Sequence, residues 1–346
     1  MVTVKDVAEK SGVSVSTVSH VINGTRFVSE DLKTRVRKAM DELEYKPNLI
    51  ARSLRTKRSN VLGLILADIT NPYYSEIARN IEYLGHQKGY TVILCNSEGT
   101  PIKEEFYINR LMETRVDGII IVSSKIHQQK LEEMVGRDLP VILIDKHGAG
   151  IHMDLIAIDE FEGGKMATEH LISLGHRRIA CINGVSENYL NLDRLRGFRA
   201  AMENAGLDVD EQLIISSGFD VNAGFRAGIG LLEMEKRPTA IFATGDLIAY
   251  GVIQAAHQMR IDVPGELSVV GFDDIYLSKI FVPPLTTVSQ PLYEISEAAI
   301  NCFFERMDNT QKTGRTIHYN IHLEVRESTG PVNEKCRTNH KEVVRE

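Results

Sequence analysis

Two periodicities divide the chain. Up to about residue 46, apolar residues recur at helical spacing. Val4, Val7 and Ala8 stand at i, i+3 and i+4, Val15, Val18 and Ile22 form a second stripe, and Leu32, Val36, Ala39, Met40 and Leu43 a third. Thr3 and Asp6 have the spacing of a reciprocal capping box. Gly12 supplies a sharp bend, Ser14 and Ser29 are caps, and Glu30 and Asp31 fall where a helix dipole favours acids. The pattern predicts three short helices, the first two as a helix–turn–helix, with Pro47 ending the unit. From Asn60 the texture changes. Residues 61–66, 92–94, 118–122, 141–144, 179–182, 240–243 and 267–270 are short apolar runs, the signature of parallel strands covered on both faces. Helical stretches lie between them, such as Ser75 to Lys88, which places Ile77, Ile81 and Leu84 on one face before Gly89 closes it. Two such series predict two doubly wound α/β subdomains with parallel sheets, assigned to 60–161 with about 289–318, and to 162–288 with about 319–330. Residues 331–346 are polar, lack heptads and read as a loose tail, so a dimer is expected rather than a tetramer.

Charge sharpens this division. The whole chain carries a formal −7, but residues 1–58 hold twelve Lys or Arg against seven Asp or Glu, a basic head of +5 on a remainder of −12. Such asymmetry is expected of a small DNA-contacting module joined to another body. Ser16, Thr17 and His20, on the far side of the second helix from its apolar stripe, are short polar side chains suited to base edges in a major groove. An ordinary helical hairpin would explain the caps but not the charge. The segment 47–59 has good helix formers, three apolar side chains and Arg52, Arg55, Lys57 and Arg58, which is a poor composition for a flexible linker. About two turns long, it is too short to be stable alone, so it is expected to form a helix only when packed against something. Leu54 would then be an apolar wedge and the cations phosphate or minor-groove contacts. The four cysteines are widely separated, with no metal site, and the first three, Cys95, Cys181 and Cys302, read as buried thiols of a reducing cytoplasm. No signal peptide or membrane span is predicted.

These features meet in a resemblance. The run V-S-x-x-T-V-S-H-V-I-N, followed by Y-x-P-N-x-x-A-R-S-L from Tyr45 to Leu54, is similar to the LacI/GalR family of bacterial transcription regulators, and the similarity extends to about residue 330. The stretches Asn71–Glu76, Leu94–Gly99 and Pro284–Thr287 resemble the ribose-operon and purine branches of that family most. The resemblance implies a homodimer on a palindromic double-stranded operator: a helix–turn–helix headpiece at 1–46, a hinge helix at 47–59, and a two-subdomain core like that of periplasmic binding proteins. It implies DNA contacts from Ser16, Thr17, His20 and Arg26, and from Ala51, Leu54 and Arg55 in the hinge, with a small effector in the core controlling DNA affinity.

In open α/β sheets, ligands sit beyond the carboxyl ends of strands. Asp145, Asp246 and Asp273 fall there, and Arg194 could balance their charge and bind oxygens bidentately. Asn71 and Pro72 are explained as N-cap and first helical residue. The consecutive Tyr73 and Tyr74 are not, since only one can face a core, and aromatic faces at a cleft stack on rings. By resemblance to ribose-binding relatives, Asn71, Tyr73, Tyr74, Asp145, Arg194, Phe219, Asp246, Asp273 and Gln290 form the effector set. Lys146 and Asn188 stand where the purine type has Trp and Arg, which favours a pentose-like sugar over a purine or nucleoside corepressor; Lys146 also departs from a neutral sugar pocket, which leaves a phosphorylated or acidic sugar open. A sugar-binding transport protein of the same fold is the other alternative, disfavoured by the basic headpiece. No enzyme is predicted. The glycine-rich run Gly224–Gly230 lacks a preceding strand and dinucleotide spacing, and no catalytic residues, cofactor or metal are expected.

Overall fold

The structure, a computed structural model, describes residues 2–23, 26–45, 58–123, 125–126, 128–135, 138–145, 153–184, 189–308 and 313–333. It divides into two compact units, Met1–Ser59 and Asn60–Glu346.

The first unit holds α1 (Val4–Ser11), α2 (Val15–Asn23) and α3 (Glu30–Glu42). Their apolar stripes close on a small core of Val7, Ala8, Val18, Val36 and Ala39. The Asp6 carboxylate accepts from both the backbone and the hydroxyl of Thr3, at 2.7 and 2.9 Å. Gly12 ends α1 in the left-handed region at φ 63°, where a side chain would be strained and a Cβ would also meet Arg35. The Arg35 guanidinium donates to the Ser11 carbonyl at 2.6 Å, satisfying one of the acceptors a helix leaves open at its carboxyl end. Ser14 caps α2 by accepting the Thr17 amide at 3.1 Å. One expectation is corrected. Val15 is exposed, because as the first residue of α2 it lies at the end of the hairpin, and the buried stripe begins one turn later at Val18.

The second unit is built on two six-stranded sheets. β1 (Val61–Leu66), β2 (Thr91–Asn96), β3 (Gly118–Val122), β4 (Val141–Ile144), β5 (Asp154–Ile158) and β11 (Thr316–Tyr319) form the first, in the order β11-β5-β4-β3-β1-β2, parallel throughout. β6 (Ile179–Asn183), β7 (Ile214–Ser216), β8 (Ala240–Ala243), β9 (Ser268–Asp273), β10 (Thr286–Ser289) and β12 (His322–Glu324) form the second, in the order β12-β10-β9-β8-β6-β7, with only β12 antiparallel. The chain passes between the sheets three times: after β5, after β10, and between β11 and β12.

Helices cover both sheets: α4 (Pro72–Gln87), α5 (Pro101–Glu113), α6 (Gln128–Val135), α7 (Glu160–Ser173), α8 (Tyr189–Asn204), α9 (Val221–Leu232), α10 (Asp246–Gln258) and α11 (Leu292–Asp308). α4 starts three residues before the expected Ser75, because Asn71 caps it and Pro72 is preorganised as its first residue. The helix pair α7–α8 packs backbone against backbone: a Cβ on Gly164 would stand 2.0 Å from the Arg194 carbonyl oxygen, and one on Gly197 2.0 Å from that of Phe161. That approach sets the first turn of α7 beside the middle of α8. The glycine-rich run 224–230 lies inside α9, where Gly224 and Gly228 let that helix press against α10. Cys95, Cys181 and Cys302 are buried free thiols, whereas Cys336 lies outside the described residues.

Candidate functional site

Between the carboxyl ends of the two sheets lies a buried polar cluster. Tyr73, the second residue of α4, is buried and donates its hydroxyl to Asp145 at the end of β4. Tyr74, next to it, meets Tyr73 edge to face at 5.1 Å and hydrogen-bonds Ser123 beyond β3. Asn71 is occupied as the cap of α4, accepting the Tyr73 amide at 3.0 Å.

On the side of the second sheet, Arg194 projects from α8. Its Nε donates to Glu160 at 2.5 Å, its Nη1 donates to the Thr244 carbonyl at 2.6 Å, and Nη1 lies 3.6 Å from Asp273. The guanidinium stacks 3.5 Å above the Phe272 ring, a cation–π contact that holds the plane in place. Gln290, in the crossing after β10, donates to Asp273 at 2.8 Å. Phe219 is exposed, with its ring over Gly184 just past β6.

Asp246 behaves differently from its neighbours. It opens α10, and its two oxygens already accept from the Ile275 amide (3.0 Å), Ser278 (2.7 Å) and Thr287 (2.6 Å). It therefore braces the loop after β9 and keeps little acceptor capacity for anything else.

Several buried side-chain atoms have no hydrogen-bond partner: Asp145 Oδ1, Glu160 Oε1, Asn183 Oδ1, Asn191 Nδ2 and Gln290 Oε1. Folded proteins satisfy nearly all such atoms, so a group of them around one guanidinium marks a place prepared for a polar molecule. Glu160 and Asn191 are absent from the expected set. In sequence Glu160 looks like an ordinary first-turn acid and Asn191 like a solvated helical residue; only the close α7–α8 contact buries them. Asn191 lies three residues before Arg194, on the same helical face, which was the available signal.

The electrostatics follow from burial. Desolvation, reinforced by the charge of Glu160, pushes the Asp145 carboxyl up to about 7, although the Tyr73 hydroxyl and Arg194 oppose it. Burial also raises Asp273 far above the usual carboxylate range, against the pull of Arg194. Burial alone would weaken the charge of Arg194, but Glu160 and Asp273 outweigh it and hold the cation more firmly than usual. The ends of the central strands are themselves unusual: Ser123, Asp145, Asp273 and Asp274 all have positive φ, at 56°, 52°, 114° and 54°. Non-glycine residues at such angles cluster at binding and active sites.

In the first unit Ser16 and Arg26 are exposed and Thr17 and His20 half-buried. The Ser16 and Thr17 hydroxyls lie 2.7 and 2.8 Å from Ser14 Oγ, so the cap also orients them. Phe27, 95% exposed beside Arg26, was not anticipated. Ala51, Leu54 and Arg55, and Lys146 and Asn188, lie outside the described residues. Among the described residues no group of His, Cys, Asp and Glu could hold a metal, and no helix is long and apolar enough to cross a membrane.

Comparison with known proteins addresses both units. The model for bacterial regulatory proteins of the lacI family matches residues 3–48, and that for the periplasmic binding protein-like domain matches residues 168–329. The chain is 38% identical over 334 residues to the HTH-type transcriptional repressor PurR of Photobacterium profundum, covering 96% of this chain and all of that protein. It is 41% identical over 314 residues to the ribose operon repressor of Escherichia coli K12, covering 90% and 94%. Among solved structures, the lac repressor dimer bound to operator and the anti-inducer ONPF aligns with a TM-score of 0.84 at 26% identity, covering 95% of this chain and 99% of that one. A LacI family regulator from Enterococcus faecium with bound ribose aligns at 0.73 and 27%, covering 79% and 100%.

Proposed function

The chain belongs to the LacI family of bacterial transcriptional regulators, and from that premise we propose that its effector is a neutral, ribose-like sugar held between the two body sheets. That it is a DNA-binding, effector-responsive repressor and not an enzyme follows from its relatives. The choice of effector rests on one observation: the buried, unpartnered atoms of the cleft are mostly oxygens, and Asp145 and Gln290 each present a free acceptor. Sugar hydroxyls supply donors to such atoms, and the edge-to-face pair Tyr73–Tyr74 offers an apolar wall for a ring. Asn71, Asp145, Arg194, Phe219, Asp273 and Gln290 complete the proposed contact set, with Asp246 as its brace.

Ser16, Thr17, His20 and Arg26 are assigned to the operator's major groove and flanking phosphates, and the hinge residues Ala51, Leu54 and Arg55 to its centre. Effector binding and DNA affinity are then linked, because a ligand that favours one arrangement of the body shifts the population of the other, with coupling of typically about 1–3 kcal/mol. The dimer is assigned to two exposed apolar patches. Leu94, Ile102 and Phe106 flank the edge strand of the first sheet, and Tyr276, Ile280 and Val282 follow β9 in the second. Ile102 and Val282, at 84% and 85%, are the most exposed apolar side chains of the two patches.

A thermal-shift titration tests the effector. At a hundredfold excess over Kd, D-ribose stabilises the protein by about 2.7 kcal/mol, which a melting curve resolves easily. The 38% identity to the repressor PurR supports a purine base as the competing ligand, and a shift with a purine base alone replaces the sugar assignment. Light scattering of Val282→Glu tests the dimer: mass should fall towards the monomer.

A further inference from the structure

Glu160 occupies the point where the chain first crosses from one sheet to the other, one residue after the α7 cap Asp159. It is 6% exposed. One oxygen accepts from Arg194 Nε at 2.5 Å, and the other, also buried, has no partner. Its charge is felt by Asp145 on the first sheet and by Asp273 on the second. Arg194, the guanidinium of the cluster among the described residues, would by itself be a natural seat for a phosphate or carboxylate. Glu160 and Asp273 flank it instead.

We propose that Glu160 is an effector-contacting residue and the anion filter of the cleft: its free oxygen accepts a hydroxyl of a neutral sugar, and its charge denies Arg194 to phosphorylated or acidic ligands. The contact half rests on the sugar assignment above; the filter half does not. Burial favours the neutral form of the Asp145 and Asp273 carboxyls, so a phosphorylated sugar entering this cleft meets the charge of Glu160 beside a guanidinium already engaged, and repulsion accompanies its desolvation. A neutral sugar meets the same groups as hydrogen-bonding partners for its hydroxyls.

Three proteins decide it: the wild type, Glu160→Gln, which keeps shape and a hydrogen bond to Arg194, and Glu160→Asp, which keeps charge but shortens reach. Each is checked for a single cooperative melt and then titrated with D-ribose, D-ribose 5-phosphate and inorganic phosphate in mildly acidic buffer. Losing a charge-assisted hydrogen bond weakens ribose binding by about tenfold in Glu160→Gln, and the shortened Glu160→Asp is weakened as well. Phosphate and ribose 5-phosphate raise the melting temperature of Glu160→Gln alone, leaving the wild type and Glu160→Asp unmoved. Equal ribose affinity in all three overturns the contact. A wild type stabilised by phosphate as much as Glu160→Gln overturns the filter. A wild type indifferent to ribose, beside a Glu160→Gln that gains phosphate binding, removes the sugar assignment and leaves the filter standing.

Discussion

The two polar surfaces of this protein are built on opposite physics. The headpiece carries the groups proposed to read DNA, Ser16, Thr17, His20 and Arg26, exposed or half-exposed, so holding them ready costs little. Its ligand is a polyanion that brings its own charge, and affinity comes from the counterions that Lys and Arg displace. The cleft of the body instead buries Asp145, Glu160, Arg194 and Gln290 and leaves several of their atoms unpartnered. Its ligand is small and must be surrounded to be bound at all, so desolvation is borne in advance, by shifted carboxyls and strained strand ends. A surface that waits in water reads charge and groove; one that waits in the dry reads the count of donors and acceptors.

The contrast can be broken first at the level of whole units. A fragment beginning near Asn60 should lose operator binding entirely in a gel-shift assay while keeping the effector's thermal shift; residual sequence-specific binding would mean the body itself reads DNA. Next in size, Asp273→Ala should weaken effector binding by about 100-fold, since it removes a buried hydrogen-bonding carboxyl and leaves Gln290 without its acceptor; an unaltered titration removes Asp273 from the site. On the headpiece, Arg26→Ala should lower the slope of log affinity against log salt by about one unit, whereas no cleft substitution should change that slope.

The smallest effect concerns pH. Asp145 holds its proton up to about 7 when folded, against an ordinary value of 3.8. Between those values the folded state binds more protons than the unfolded chain, so this residue's contribution to stability, complete in acid, is lost as pH rises through about 7. Asp145→Asn lacks that loss. Its melting temperature should match the wild type in acid and exceed it by a few degrees above neutrality, and a gap constant with pH would show that Asp145 is not the titrating group.

Legibility in the sequence followed the same division. Helix stripes, caps and the basic head are local, and each was readable within a few residues. Strands such as Gly118–Val122 were equally plain, because burial on both faces leaves an unbroken apolar run. β5 was not. It opens on Asp154, whose buried ion pair with Arg306 joins residues 152 positions apart. β7, β10, β11 and β12 are three or four residues long, too short to show a period. In the cleft, Asp246 and Asp273 look alike as strand-end acids, yet only the first is saturated, by Ile275, Ser278 and Thr287 from distant segments. Glu160 and Asn191 became visible only once Gly164 and Gly197 had brought two helices into backbone contact.

The triple exchange of the chain between its sheets also bears on how the body is born. β11 docks on β5, and the Arg315 amide reaches the Asp154 carboxylate from 161 positions away; β12 closes the other sheet only after that. During synthesis both sheets therefore stand with a bare strand, β5 or β10, until residues 316–324 emerge from the ribosome. Unpaired edges of this kind invite association with neighbouring nascent chains, and the last strands, only four and three residues long, replace them with edges too short to template a neighbour well.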